Sequence, residues 1–280
     1  SLNDKTKKFH YVHINHGIRK NSLKEANYVK KILAKQRISL KVINNRVNIN
    51  RNIQHNARKI RYSLLSKECN KKKIKYILVA HHKYDQIETF FIRLSRGSGV
   101  QGLSAMNSST TVEKKIKVFR PFLAVQKKEL VAVSKIVFDD YIKDPSNNNN
   151  KYLRTNVRKL LPLLKRHGIK EDQIIKSINN LKSSNETIKI YFNEIFKKIV
   201  KKKKGNFLIT KRVLFSLNNE LQLRVLGSVI KSVTKSYYPP RSQKILTALN
   251  FFNLSHGNKY QLGGCWLISG NNYLKVQKIK

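Results

Sequence analysis

Ala80–Met106 reads AHHKYDQIETFFIRLSRGSGVQGLSAM. It begins where an apolar run, Tyr76-Ile77-Leu78-Val79-Ala80, stops at two histidines. A short, uninterrupted apolar run predicts a strand buried on both faces of a parallel sheet. Beyond it Ile87, Phe90, Phe91 and Leu94 recur at i, i+3, i+4 and i+7, the apolar stripe of a helix, with Asp85, Glu88 and Thr89 at the complementary polar positions. That helix runs into a glycine-rich loop, Arg96-Gly97-Ser98-Gly99-Val100-Gln101-Gly102. Ligands of open α/β sheets bind beyond the carboxyl ends of strands, so His81, His82 and Asp85 stand where chemistry is expected.

Each motif in the stretch has a plainer reading beside the chemical one. Gly97, Gly99 and Gly102 satisfy GxGxxG, but a dinucleotide fingerprint needs a strand before it and a helix after it, and here a helix precedes. The loop is better read as backbone N–H groups facing phosphate or RNA, or as a flexible turn. His81 and His82 are adjacent on an extended segment and point opposite ways, which makes them poor joint metal ligands. Asp85 has two chemical roles open to it, holding Mg²⁺ against ATP phosphates or taking a proton from an attacking amine. Its plainer role is a helix N-terminal cap. Glu88, three residues on, completes a capping box by spacing and reads as structural.

Outward from this stretch, strand and helix patterns alternate. Phe9–Asn15 alternates like a strand, and His16-Gly17-Ile18-Arg19 follows as a turn. Ser22-Leu23-Lys24-Glu25 has capping-box spacing for a helix reaching Gln36. A strand over Ser39–Asn44 and an amphipathic helix over Ile53–Glu68 lead back to Tyr76. Such alternation predicts parallel βαβ units with right-handed crossovers. A further helix spans Val125–Val137. After Lys165 the pattern changes. Ile174, Ile178, Leu181, Asn185, Ile188, Phe192, Ile195 and Ile199 are spaced 4-3-4-3, a heptad-like seam with one polar interruption. Lys201–Lys204 and Gly205 read as its basic end and glycine stop. Helices near Asn219–Lys235 and Ser242–Phe252 follow. Strands over Lys259–Leu262, Cys265–Ser269 and Tyr273–Lys278 are turned by Gly263-Gly264 and Gly270-Asn271-Asn272.

The 280 residues carry a formal charge of +44, from 59 Lys plus Arg against 15 Asp plus Glu. An excess of that size points to a polyanionic partner, RNA or DNA first. The over-use of Lys, Asn and Ile also fits an AT-rich genome drifting on solvated faces. Cys69 and Cys265 cannot build a disulfide framework or a cysteine metal site, and a reduced, cytoplasmic compartment fits them. No run approaches the ~18 apolar residues of a membrane span. Residues 1–20 show no signal-peptide pattern.

The opening stretch closely resembles the HHxDDQxET…RGSGxxGLxxM signature of the tRNA(Ile)-lysidine synthases, of the PP-loop ATP pyrophosphatase superfamily. Its first Asp is Tyr84 here, and its second is Asp85. VHINHGIR at residues 12–19, Ala57–Tyr62 (the family's ARxxRY), Phe119–Leu123 (its RPLL) and Asp144–Asn147 (its DPSN, with Asn149 for the family's Asp) match in order. Tyr152, Arg154 and Arg158 fall where the family has a Tyr and paired Arg. The Leu262–Cys265 turn resembles the end of the family's second domain. The resemblance implies a Rossmann-like α/β catalytic domain over 1–165 and a helical, α+β tRNA-binding domain over 166–280. It implies ATP contacts from His13, Asn15, His81, Gly97, Ser98 and Gly99. It implies catalytic roles for Asp85 and Arg61, Mg²⁺ at Asp85, and tRNA contacts from Arg120, Arg154 and Arg158.

The family's first strand ends in an SGGxDS phosphate loop, and no such sequence occurs in these residues. In the family's fold that strand lies between the second strand and the one at Tyr76. Two strand edges are therefore expected to lack their neighbour, at about 1–3 kcal/mol for each buried backbone group left unpaired. The expectation is a partial sequence cut at its N-terminus and inactive alone; a degenerate gene, or a loop from another chain, is the alternative. The implied reaction adenylates C2 oxygen of the wobble cytidine of a tRNA(Ile) with a CAU anticodon. Free L-lysine then displaces AMP to leave lysidine, with homodimerisation open. The alternatives are a tRNA 2-thiocytidine synthase, disfavoured by isolated cysteines, and a catalytically dead tRNA-binding remnant.

Overall fold

A computed structural model of the chain describes residues 9–19, 21–49, 53–112, 116–142, 153–203, 205–236, 239–254 and 257–279. The DPSN loop, Asn149 and Tyr152 lie outside the described residues. The chain folds as two compact units, Ser1–Lys182 and Ser183–Lys280.

In the first unit β1 (Tyr11–Asn15), α1 (Ser22–Lys35) and β2 (Leu40–Asn44) form a parallel βαβ unit, with His13 opposite Val42. Then come α2 (Ile53–Lys71), β3 (Tyr76–Leu78), α3 (Lys83–Leu94), α4 (Val100–Leu103), β4 (Ser109–Val112), β5 (Ile116–Phe119), α5 (Lys127–Phe138) and α6 (Leu153–Arg166). β3 pairs in parallel with β5, which pairs antiparallel with β4. Ile77, Val112, Ile116 and Val118 bury one face of this sheet against Tyr62 and Cys69 of α2. A second cluster joins Ile87 of α3, Leu161 of α6 and Ile174 and Ile178 of α7 (Glu171–Ile199).

Several expectations need correcting. The run Tyr76–Ala80 is strand over three residues, and only Ile77 is buried; Tyr76 is 58% and Leu78 60% exposed. Among the described residues β1 ladders to β2 and β3 to β5, so β1 and β3 are the two edges expected to lack a neighbour. Ser22 does not begin a capping box: its hydroxyl donates to the Arg19 carbonyl (2.8 Å), and Glu25 takes the Arg19 guanidinium (2.8 Å). β4 and β5 were not read from the sequence.

α7 buries the expected seam. Ile174 and Ile178 lie in the first unit's core, Ile199 lies in the second's, and Phe192 and Ile195 pack against that second core. The division between the units falls within this helix rather than at 165/166. Lys201–Lys203 do not cap α7. They belong to β6 (Val200–Lys203), which turns through Gly205 (φ +80°) into β7 (Asn206–Thr210). Then follow α8 (Lys211–Ser216), α9 (Asn219–Thr234), α10 (Ser242–Leu254), β8 (Lys259–Leu262), β9 (Cys265–Ser269) and β10 (Tyr273–Lys278), the last three with the expected bounds. The sheet order is β6-β7-β10-β9-β8. Its inner face (Ile209, Leu262, Leu267, Leu274, Val276) packs with Val225, Leu226, Val229 and Leu249 of α9 and α10.

Candidate active site

Within the first unit a cavity of about 1870 Å³ lies between the edges of β1 and β3, bounded also by α2 and α6. Its lining follows both strand edges along their whole length, Phe9–Arg19 and Tyr76–His81, where the family's fold has its first strand, so its volume measures that gap as well as any ligand site. His13, Asn15, Arg61, His81, Arg154 and Arg158 all line it. His16, which sequence reading left as part of a turn, lines it as well.

The walls are cationic and partly desolvated. Burial pushes the His81 imidazole down to about 4, with Arg120, Arg58 and Arg61 adding to the effect and Asp85 opposing it. Burial also holds His13 below its usual range, against the pull of Glu25. His16 is lowered by burial, then by Arg61 and His13. All three rings are therefore neutral at pH 7, able to hydrogen-bond but not to carry charge. Arg61 keeps its charge, and its buried Nε has no hydrogen-bond partner. Its guanidinium lies 5.5 Å from the Tyr62 ring centroid, with that of Arg58 at 5.0 Å. A desolvated cation with an unspent donor is suited to an incoming anion such as a triphosphate.

Asp85 does not line the cavity but interacts electrostatically with His81, which does. It occupies the third position of α3, where its Oδ2 accepts from the His82 backbone N–H at 2.9 Å, the return half of a capping box. His82 Nε2 lies 3.6 Å from the same oxygen. Asp85 therefore takes the capping work expected of Glu88, and both it and Arg61 act electrostatically on His81. Among the described residues no three His, Cys, Asp or Glu side chains converge as a metal cage. Mg²⁺ commonly takes one or two carboxylates and completes its shell with phosphate oxygens and water, so a single carboxylate here fits that ion only alongside a bound triphosphate.

Glu88 is not an exposed cap. It is 1% exposed, and its carboxylate takes Arg158 closely and Arg154 at 3.9 Å. The Arg pair expected to grip RNA phosphates is thus anchored on a buried carboxylate, two cations to one anion, at the cavity wall. Arg120 is a correction of a different kind. It is 5% exposed, and its guanidinium donates to the Asn107 carbonyl (3.0 Å) and Thr110 Oγ1 (3.2 Å), so it braces β4 and β5, while its buried Nε has no hydrogen-bond partner among the described residues. Asn15 is likewise committed, accepting from Gly17 N–H (3.1 Å) and donating to Asn44 Oδ1 (3.0 Å).

The structure does not bring Gly97, Ser98 and Gly99 into the cavity. Gly97 and Ser98 spend their N–H groups on the Leu94 and Arg93 carbonyls, at 2.9 and 3.1 Å. α3 braces the loop from beneath. Arg93 donates to the Gly102 and Ala105 carbonyls, and Gln86 exchanges two hydrogen bonds with the Met106 backbone (2.9 and 2.8 Å). Tyr84, standing for the family's first Asp, donates to Glu171 of α7 at 2.6 Å, which pushes its phenol up to about 12. Lys83 pairs with Asp172 beside it.

Comparisons with known proteins agree with this geometry. The model of the PP-loop domain family matches residues 2–164. The chain is 34% identical over 272 residues to the tRNA(Ile)-lysidine synthase of Wolbachia pipientis wMel, covering 95% of this chain and 62% of that protein. It is 30% identical over 240 residues to the enzyme of that name from the Wolbachia of Brugia malayi, covering 85% and 56%. With that of Orientia tsutsugamushi it shares 40% identity over 151 residues, 53% of this chain and 33% of the relative. The chain therefore spans roughly three-fifths of the length of the first two relatives.

Proposed function

The chain belongs to the PP-loop domain family, and on that premise we propose that it is the catalytic part of an enzyme that uses ATP to join lysine to the wobble cytidine of a tRNA(Ile) with a CAU anticodon. The observation that carries this reading is that Arg61, His81, Arg154 and Arg158 line one space between the edges of β1 and β3. The names of the relatives point the same way.

Cytidine C2 is a poor electrophile because its carbonyl oxygen is a poor leaving group. Attack of that oxygen on the α-phosphorus of ATP forms a P–O bond and releases pyrophosphate. The lysine ε-amine then adds to C2, the C–O bond breaks, AMP departs, and the amine loses its proton. Arg61 is placed to stabilise the negative charge that gathers on the phosphoryl oxygens. His81, neutral and behind it, accepts or donates one hydrogen bond without adding charge. Asp85 caps α3 and adjoins His81 without lining the cavity, so it would act on a bound Mg²⁺ or on the amine's proton through water or through His81. Mg²⁺, when bound, neutralises phosphate charge. Arg154 and Arg158, with one net positive charge beyond Glu88, face the substrate's phosphates.

The test is AMP release by the full-length protein given ATP and a tRNA(Ile) transcript. Release should require free lysine, and Arg61→Ala should lower it by about 100-fold or more, as loss of one transition-state donor does. AMP output indifferent to lysine overturns the reading. No SGGxDS sequence is present in the 280 residues, so this chain alone is expected to release none.

A further inference from the structure

The five-stranded sheet of the second unit has an outer face that the active-site reading leaves unused. Its inner face is the apolar core with α9 and α10. On the opposite face strand register aligns one residue from every strand in a single row. Lys201 pairs with Leu208, Leu208 with Lys275, Lys275 with Ile268, and Ile268 with Lys259. The row reads Lys-Leu-Lys-Ile-Lys across β6, β7, β10, β9 and β8. In the next row Trp266 lies between Gln277 and Gln261. Lys259 Nζ stands 4.1 Å from the centroid of the Trp266 ring. Lys201 and Lys259 are exposed, while Leu208, Lys275, Ile268 and Trp266 are half-buried.

Lysines on a sheet usually guard its edges against pairing with another chain, which accounts for β6 and β8. It does not account for Lys275, which sits on the central strand β10. Among the described residues none of these lysines forms an ion pair, and the five strands contain no acidic residue. Lysines two strands apart stand roughly 10 Å from one another at the backbone. That is about a Debye length at physiological salt, so the row assembles with little mutual repulsion and remains free to meet a chain of evenly spaced anions. Lysines tracking a phosphate backbone beside an aromatic ring are the two ingredients of sequence-tolerant binding to unpaired nucleic acid.

We propose that this outer face is an RNA-binding surface, on which Lys201, Lys275 and Lys259 contact backbone phosphates of an unpaired RNA segment and Trp266 stacks on one of its bases. Taking RNA as the polyanion rests on the function proposed above; the surface is new to it. Leu208 and Ile268, set into the pleat between the lysines, offer flat apolar ground to ribose and base.

The test uses the 280-residue chain, a tRNA(Ile) transcript and filter binding across about 50–200 mM salt. The triple variant Lys201→Glu, Lys259→Glu, Lys275→Glu should bind about tenfold or more weakly. Its slope of log affinity against log salt should be shallower by about 2, three lost contacts at ~0.7 each on a single strand. Lys24→Glu, Lys31→Glu, Lys35→Glu on α1 makes the same charge change elsewhere and should cost clearly less. A Lys→Gln version of the first triple guards against misfolding and should give the same ordering with a smaller loss. Trp266→Ala should weaken an unpaired oligonucleotide several-fold and a duplex little. The assignment is overturned if the sheet triple, with unchanged circular dichroism and melting, keeps wild-type affinity and slope. It is also overturned if the α1 triple loses as much, or if vesicles of anionic lipid displace the RNA through the same lysines. A wild-type chain that binds no tRNA removes the proposed function as well; a wild type that binds and a sheet triple that binds equally removes only the surface.

Discussion

Arg154 and Arg158 reach Glu88 from one face of α6, and the two pairings are unequal. Glu88 is fully buried while both arginines keep a third or more of their side chains exposed. Removing an arginine therefore matters mainly through the carboxylate it leaves behind. Arg158→Ala, which removes the close partner, is expected to cost on the order of 2–3 kcal/mol in denaturant unfolding. Arg154→Ala, whose Nε lies 3.9 Å away, should cost under about 1 kcal/mol. Equal costs would show that Glu88 does not depend on Arg158. His81 gives a second prediction. Its proton affinity is lowered on folding, to about 4 from an ordinary 6.5. Between those values the unfolded chain holds a proton that the folded chain has lost, so stability is complete above about pH 6.5 and falls as pH drops toward 4. His13 and His16 act in the same direction. Urea midpoints measured across this window should fall for the wild type and fall less for His81→Gln; parallel pH profiles would contradict this. Of these residues the sequence marked His81 and Asp85 by their position after an apolar run, and Arg61 only through the family resemblance. It could not mark Glu88 as an ion-pair centre, because its partner lies far along the chain on another helix.

Among elements, α3 does the most positioning. Its first turn carries Asp85, which acts electrostatically on His81, and ties to the start of α7 through Tyr84–Glu171 and Lys83–Asp172. Gln86 holds the Met106 backbone, the middle of the helix presents Glu88 to α6, and Arg93 at its end braces the glycine loop at the Gly102 carbonyl. In that loop Gly102 has no room for a side chain, since a Cβ there would lie 2.5 Å from Ser98 Cβ. Gly102→Ala should displace the turn at Ser98 and cost about 1–3 kcal/mol in thermal or denaturant unfolding. A neutral outcome would mean that the loop gives way freely. The helix itself was legible from its 3.6-residue apolar period, and β8–β10 from alternation and paired turn residues. The strand β6 was not, because its three consecutive lysines have little strand propensity and pair only through the hairpin with β7.

At the scale of the whole molecule the two units are built unequally. The second closes a single apolar core between one face of a five-stranded sheet and two helices. The first has its strands divided between β1-β2 and β3-β5-β4, with the cavity between their edges. Amide hydrogen exchange followed by mass spectrometry should show the slowest exchange in β7, β9, β10 and α9. β1 and β3 should exchange faster, since each has a ladder on one side only among the described residues. Equal protection would argue against this division of stability. The amino-acid sequence by itself determined the βαβ order, the family resemblance, the seam along α7 and the charge that calls for a polyanion. Those depend on local periodicity and composition, which are written along the chain. Tertiary structure alone decided that Arg120 is a buried brace, that Glu88 anchors the arginine pair, that the glycine loop turns away from the cavity, and that three distant lysines share one row. Each of these depends on which residues meet across elements, and strand register and helix packing fix such meetings only once the chain has folded.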